Sequence, residues 1–540
     1  MNSGSPIDKN MILAIVAALV LYIGWQSYLN KKYPEYYTKK PKTAETSDTQ
    51  KNVADVTATS NQTETTGMAS APEIGQEKPA SDVENTVEYS DEIWSLTFSS
   101  KGMGLKKIQL KKFSDRESRP IEFLSAEGHR NFSTNLIGRA KDLDFVIRQT
   151  QDKQFVGVAE AAGNRIVKTV NIDSKNYILN TQIRVEKMDE SFAGVTTELS
   201  DYVKPAAASF FLMPQYEFHE FYVQYEATDE RSILSHSENT TQNYSKAHLI
   251  SLSSQYFATA LLDKSSVLPD FKSSTLPEEG RAKALGILTY TRLGSGQEFN
   301  ISYSAFAGPK SYRLLEGIDP KMSQIVNFGF FQSIARVIFR VLDSIHNVVG
   351  NWGWAIVLLT ILVRLLVLPF NLMSYRSMKG MAAIQPEMKV LREKYKNDPQ
   401  RLNQEMLQLM KEAKANPLGG CLPMLLQIPI FFALYQVLGQ SIELYKAPFV
   451  LWIQDLSYRD PFFVLPILMG VTLYFQQKIT PTTLEPAQQK VMMFLPVIFS
   501  VFMLTLPSGL TLYIFVSGLF AVLQQIYFMR NDKKQGVKAN

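Results

Sequence analysis

Five histidines (His129, His219, His236, His248, His346) and Cys421 are the side chains in this 540-residue chain best suited to metal binding or nucleophilic attack. None of the histidines forms an HExxH pair or another short-spaced ligand set. One cysteine makes neither an internal disulfide nor a multi-cysteine zinc or iron–sulfur site. No GxxxxGK[ST] loop, GxSxG elbow or kinase set is present, and Gly102-Met103-Gly104 lacks the third glycine of a dinucleotide fingerprint. No catalytic residue, metal or cofactor is expected. The side chain that stands out is Arg364, set in Thr360-Ile361-Leu362-Val363-Arg364-Leu365-Leu366. It is the only charge in five apolar stretches that hold no Asp, Glu, Lys or His, so the acid and imidazole relays of proton-driven pumps are missing. An arginine at the centre of a membrane helix costs ~2.5–3.5 kcal/mol, and no acid within these stretches can neutralise it. Two readings stay open: a water-filled cavity open to the cytoplasm, or a side chain that snorkels to the headgroups. Gln427, Gln436, Gln476, Gln477, Gln524 and Gln525 favour the cavity, although amides also bond neighbouring helices. Phe431, Phe432, Met424, Met469, Met492, Met493, Phe502 and Met503 give an adaptable surface for apolar helices.

The elements that would hold these residues follow from periodicity. Residues 1–30 contain the apolar run Met11–Trp25 with no small-x-small cleavage site after it, which predicts a retained anchor. Residues 31–88 read as a disordered tether, because only seven of the 53 residues from Thr38 to Ser90 are Val, Ile, Leu, Met or aromatic. Over 89–320 the pattern has period two: Tyr177, Leu179, Thr181, Ile183 and Val185 oppose Asn180, Gln182, Arg184 and Glu186, and Phe299 to Ala305 repeats it. This predicts a large all-β sandwich. Residues 321–345 switch to a helical period, with Ile325, Phe328, Phe331, Ala335, Ile338, Phe339 and Leu342 on one side, as expected of an interfacial amphipathic helix or of a helix packed on the β domain. Span two follows within 346–373, a charged helical hairpin over 374–416, spans three to six over 417–530, and a basic tail over 531–540.

Charge divides the chain. Residues 364–540 hold 18 basic and 10 acidic side chains, leaving 38 and 41 for residues 1–363, so the mean hydropathy of −0.08 averages two unlike parts. The hairpin, the loop with Lys478 and Lys490, and the tail with Arg530, Lys533, Lys534 and Lys538 are all basic and predict a cytoplasmic face. Six spans then place both termini in the cytoplasm and residues 31–345 outside. Lys31, Lys32, Lys39, Lys40 and Lys42 argue the reverse against Lys9, and the larger C-terminal bias decides. Lys389, Arg392, Lys394 and Lys396 on the hairpin, with Lys533 and Lys534, are candidate docking groups for anionic lipids or ribosomal RNA. The tail alone is equally well read as a topology signal.

Several motifs carry a resemblance: Asn416-Pro417-Leu418-Gly419-Gly420-Cys421-Leu422-Pro423, Gln427-Ile428-Pro429-Ile430-Phe431, Leu451-Trp452-Ile453, Asp455-Leu456-Ser457, Leu465-Pro466-Ile467-Leu468-Met469-Gly470, Pro481-Thr482-Thr483 and Pro507-Ser508-Gly509. With the arginine-bearing span and the hairpin, the stretch from Gln324 to Arg530 resembles the YidC family of membrane protein insertases, in the Gram-negative form with a large periplasmic domain. The resemblance implies a polytopic α-helical membrane protein: six spans, a five-helix core with a hydrophilic groove closed on the outer side, and an all-β periplasmic β-supersandwich similar to sugar-binding folds. Fold likeness alone implies no sugar function. It further implies an inner-membrane insertase and chaperone for nascent membrane proteins. Its partners would be the Sec translocon, the ribosome and anionic lipids, with no DNA and no cofactor. Arg364 would be the groove arginine, with Thr360, Gln427, Phe431, Met469, Phe502 and Tyr513 as client contacts; Ile514 follows Tyr513 where some relatives have a second aromatic. The rivals are an envelope scaffold or ligand-binding receptor using the β domain, for which one anchor would suffice, and a passive channel, which an outer closure would block.

Overall fold

The computed structural model describes residues 84–139, 142–203, 218–293, 298–413, 417–480 and 486–538, which leaves the expected anchor and nearly all of the tether outside the described residues. The chain divides into two compact units between Gly308 and Pro309.

The first unit is built of three sheets. The largest has nine strands in the order Thr228–Ile233, Glu220–Tyr225, Ala247–Ser253, Phe257–Asp263, Phe299–Pro309, Ile178–Lys187, Asn164–Asp173, Gln154–Ala161 and Val146–Gln151. In Ile178–Lys187 the period-two pattern becomes burial: Leu179, Thr181, Ile183 and Val185 point inward while Asn180, Gln182, Arg184 and Glu186 face out. A five-stranded sheet (Thr240–Tyr244, Asp270–Glu278, Arg281–Thr291, Gly194–Val203, Thr134–Leu136) and a four-stranded one (Thr86–Ser90, Trp94–Ser99, Leu105–Ser114, Pro120–Leu124) complete it. Phe271 of the five-stranded sheet meets Phe221 of the nine-stranded one edge to face at 5.7 Å. Phe98 of the four-stranded sheet stacks on Phe155 at 4.9 Å. Each small sheet thus buries aromatic area against the large one.

The order begins earlier than position 89. Glu84 accepts from Arg130 Nε and Nη2 at 2.7 and 2.9 Å and from Ser99 Oγ at 2.6 Å, and the first strand starts at Thr86. A bidentate arginine fixes this end of the chain.

The unit also ends earlier than position 320. Pro309 opens the second unit, and helix α1 (Tyr312–Ile318) lies within it, with the Tyr312 ring 5.5 Å from Phe328 and 5.4 Å from Phe339. The amphipathic helix, expected from 321, is shorter. Met322–Ile325 is one turn of 3₁₀ helix, Gly329 takes a left-handed φ of 68°, and helix α2 runs over Gln332–Val349. The left-handed glycine, with its N–H bonded to Asn327 Oδ1, breaks the helical run. Ala335, Ile338, Phe339 and Leu342 form the buried face of α2.

Helix α3 (Trp352–Ala383) starts at Asn351, whose side chain accepts from Trp354 N, and carries Pro369 inside it. It continues past the expected limit of span two at 373 into the hairpin, whose own helices are α4 (Gln385–Lys394) and α5 (Pro399–Glu412). Asp398 caps α5 by accepting from Arg401 N at 3.1 Å, and Pro399 takes the first helical position, where a missing N–H costs nothing. Met381, Ile384 and Met388 form a small core with Met406, Leu409 and Met410. Helices α6 (Pro417–Gln440), α7 (Val464–Ile479), α8 (Pro486–Met503) and α9 (Ser508–Lys538) complete the unit. Among the described residues, α3 and the part of α9 to Asn531 are long and apolar enough to cross a membrane, and Met492–Met503 of α8 is a shorter apolar stretch.

Candidate functional site: a polar cluster around Arg364

Arg364 lies on α3 where it meets α9, and its half-buried side chain turns inward. Nε donates to Ser517 Oγ of α9 at 2.8 Å, and Nη2 reaches the same oxygen. Among the described residues no carboxylate pairs with it. One turn before Ser517 on α9, the buried Tyr513 accepts from Gln427 Nε2 of α6 at 3.1 Å. Further toward the hairpin, Asn371 Nδ2 donates to Gln524 Oε1 at 3.4 Å. Three helices therefore supply a line of polar groups along one another, each satisfied by a neighbour rather than left orphaned among apolar side chains. The guanidinium has five N–H donors, so two directed at a single hydroxyl leave it able to donate to an incoming polar group.

At the end of this helix cluster opposite the hairpin lies the folded segment between α6 and α7. Asp455 accepts from Lys446 N, Ser457 N and Ser457 Oγ at 3.0, 2.8 and 2.6 Å. The buried Asp460 accepts from Trp452 Nε1 and from Phe462 N, both at 3.0 Å, and from Leu465 N at 2.7 Å, which satisfies one N–H of the first turn of α7. The folded segment then joins two helix starts. Asn351 Nδ2 donates to Pro448 O at 3.1 Å, while Ser508 N and Gly509 N donate to Tyr458 O and Leu456 O at 2.6 and 2.9 Å. Gly353 is required here, because a Cβ on it would lie 2.0 Å from the Phe449 ring. The start of α3 cannot otherwise approach the segment.

The remaining sequence candidates occupy distinct places. Thr360 is fully buried one turn before Arg364 and donates to Ile356 O at 2.6 Å within its own helix. Met469 on α7 is fully buried, and Phe502 on α8 is half-buried. Phe431, half-buried on α6, has its ring 5.9 Å from that of Phe432, which in turn lies 6.3 Å from Phe331. Arg364, Gln427 and Tyr513 are thus the candidates that share one polar cluster. Ser517 was missed by the sequence reading, although its place four residues after Tyr513 puts both on one face of α9.

On the hairpin, Lys389, Lys394 and Lys396 are exposed and Arg392 is half-buried. Lys394 and Arg401 both approach the Tyr395 ring, at 5.1 and 5.4 Å from its centroid. The side chains of Lys533 and Lys534 lie outside the described residues.

The chain is similar to known proteins over both units. Residues 344–535 match the family described as 60Kd inner membrane protein, and residues 87–341 match the YidC periplasmic domain. The membrane protein insertase YidC of Geobacter sulfurreducens is 34% identical over 464 residues, 81% of this chain and 85% of that relative. That of Thioalkalivibrio sulfidiphilus is 46% identical over 291 residues, 54% of this chain and 52% of the relative, so the match spans about half that relative's length. A crystal structure of an active YidC insertase with its first transmembrane domain resolved overlaps 81% of this chain and 91% of its own, at 18% identity and a TM-score of 0.37. By the length and identity of these matches, the chain belongs to the YidC family of membrane protein insertases.

Proposed function

We propose that this protein inserts and helps to fold nascent membrane proteins in the bacterial inner membrane, alone or beside the Sec translocon, and without nucleotide hydrolysis. One observation carries the reading: Arg364, a cation without a carboxylate partner among the described residues, is held between apolar helices by one hydroxyl. A purely structural arginine would be neutralised; this one keeps donors for a guest. A nascent apolar segment waits at the groove while its polar outer part is solvated by Arg364, Gln427 and Tyr513. It then slides past Phe431, Met469 and Phe502 into lipid. Helix α7 has 16 residues and α8 has 18. At 1.5 Å per residue they reach about 24 and 27 Å, short of a ~30 Å hydrocarbon core, and the lipid beside them would thin. Burial of ~20 apolar residues drives the step, so the groove lowers a barrier and supplies no free energy.

In this reading there are six spans, with residues 1–30 as the first. Both termini and the hairpin lie in the cytoplasm, where Lys389, Arg392, Lys394, Lys396, Lys533 and Lys534 meet ribosomes and anionic lipids. The β unit is periplasmic. The hydrogen bonds that tie the segment from Lys446 to Asp460 to the starts of α3 and α9 favour a groove with no through-path over a channel. Depletion of the protein in cells tests the function: small one- or two-span membrane proteins are expected to remain uninserted and protease-sensitive. Their normal insertion would favour the envelope scaffold.

A further inference from the structure

The hairpin is basic as a whole, yet its two helices hold a cleft of the opposite sign. The cleft is lined by Glu387, Val390 and Leu391 from α4 and by Glu405, Gln408, Leu409 and Glu412 from α5. Three of the five acidic side chains between Arg376 and Lys414 (Glu387, Glu405, Glu412, but not Glu393 or Asp398) line it, and none of the nine basic ones does. The floor is apolar. Val390 is 63% exposed, a large fraction for a valine on a short helix whose own core is made by Met388 on another face. Gln408 Nε2 donates to Glu412 Oε1 at 3.0 Å, which orients that carboxylate at the rim. An apolar strip between carboxylates complements a segment that carries lysine or arginine beside leucine or valine, and repels nucleic acid and anionic lipid.

Position narrows the occupant. Helix α3 runs on from Arg364 to Ala383, and α4 begins at Gln385, so about 30 Å of helical rise separates Arg364 from the start of the cleft. That distance is the helical length of one membrane-spanning segment. Membrane proteins concentrate lysine and arginine in the flank that stays on the cytoplasmic side. We infer that the Glu387/Glu405/Glu412 cleft receives the basic cytoplasmic flank of a client whose opposite end stands at Arg364. This inference rests on the insertase reading. The two charged stations, one cationic and one anionic, would hold a client in a single orientation, so the hairpin would read topology as well as dock partners.

The test uses the full chain in nanodiscs of zwitterionic lipid, titrated with a fluorescent helical peptide of lysine and leucine. The triple variant E387Q/E405Q/E412Q should weaken its binding about tenfold, since three exposed charges each contribute a fraction of a kcal/mol. Replacing the peptide's lysines by glutamine should weaken binding to the wild type similarly, and raised salt should act the same way. Equal binding by wild type and triple variant, or equal binding of the glutamine peptide, would overturn the inference. Insertion of a neutral-flanked client by wild-type protein is measured alongside. If the peptide binds as expected and no client inserts, the insertase reading fails and the client assignment with it, and the cleft remains only a site for basic peptides. If clients insert and the triple variant binds like wild type, the cleft alone fails.

Discussion

Arg364 and Ser517 form the smallest unit of the site, and their coupling is measurable. Hydrogen bonds to a charged group contribute ~1.5–3 kcal/mol, so Ser517→Ala should lower the stability of the helical unit by about 2 kcal/mol. In an Arg364→Ala background the same change should cost nothing further; additive losses would show that the pair is not coupled. Arg364 was legible because a charge in an apolar run is conspicuous, whereas Ser517 in Phe515-Val516-Ser517-Gly518 looks like any small helix residue. The same limit applied in the β unit. Lys168 sits at an inward position of its strand between Ile166 and Val170 and donates to Gly102 O, Met103 O and Phe132 O at 3.3, 3.0 and 2.6 Å. The Gly102-Met103-Gly104 turn is therefore an ammonium cradle, and its closeness is set by Gly102, where a Cβ would lie 2.7 Å from Ser133 Cβ at a φ of +64°. Alternation puts position 168 on the inward face, its charge argues for the outward one, and only the fold supplies its three acceptors. Lys168→Met should destabilise the unit by about 3 kcal/mol in urea unfolding, because buried carbonyls lose their donor.

At the scale of elements, the strands and the long helices followed from period, and the boundaries did not. The start of α2 moved to Gln332 because Gly329 and Asn327 set a turn that a helical count passes over, and α3 ran through its expected end because nothing between Pro369 and Ala383 stops a helix. The hairpin was visible from Asn397-Asp398-Pro399, but its acidic cleft was hidden in a net positive sum. Reversing Lys389, Arg392, Lys394 and Lys396 to glutamate should weaken ribosome co-sedimentation and co-translational insertion in a salt-sensitive way while the protein stays in the membrane. Unchanged co-sedimentation at low salt would reduce these four residues to an orientation signal.

For the whole molecule, division at Gly308 predicts that the β unit is separable: removing residues 84–308 should leave insertion largely intact in a stably expressed protein. Within the β unit, two carboxyls should answer to pH in opposite directions. Burial pushes Asp263 in the β unit up to about 6 from an ordinary 3.8. Its folded form holds the proton more tightly, so the stabilisation is present below about 4 and is lost as pH rises through about 6. Glu84 runs the other way, since the Arg130 guanidinium holds it at about 2; its contribution exists above about 4.5 and fades as pH falls through about 2. Asp263→Asn should therefore flatten the pH 4–6 slope of urea midpoints for the β unit. The central claim concerns the membrane unit, and proteoliposomes holding only the purified protein test it most directly. A single-span client with an acidic outer tail is added without nucleotide, and protease protection is read. Wild type should protect the client, Arg364→Lys should do so in part, and Arg364→Ala should fail chiefly when the outer tail is acidic. Full protection by Arg364→Ala, or equal loss for neutral and acidic tails, would contradict the account.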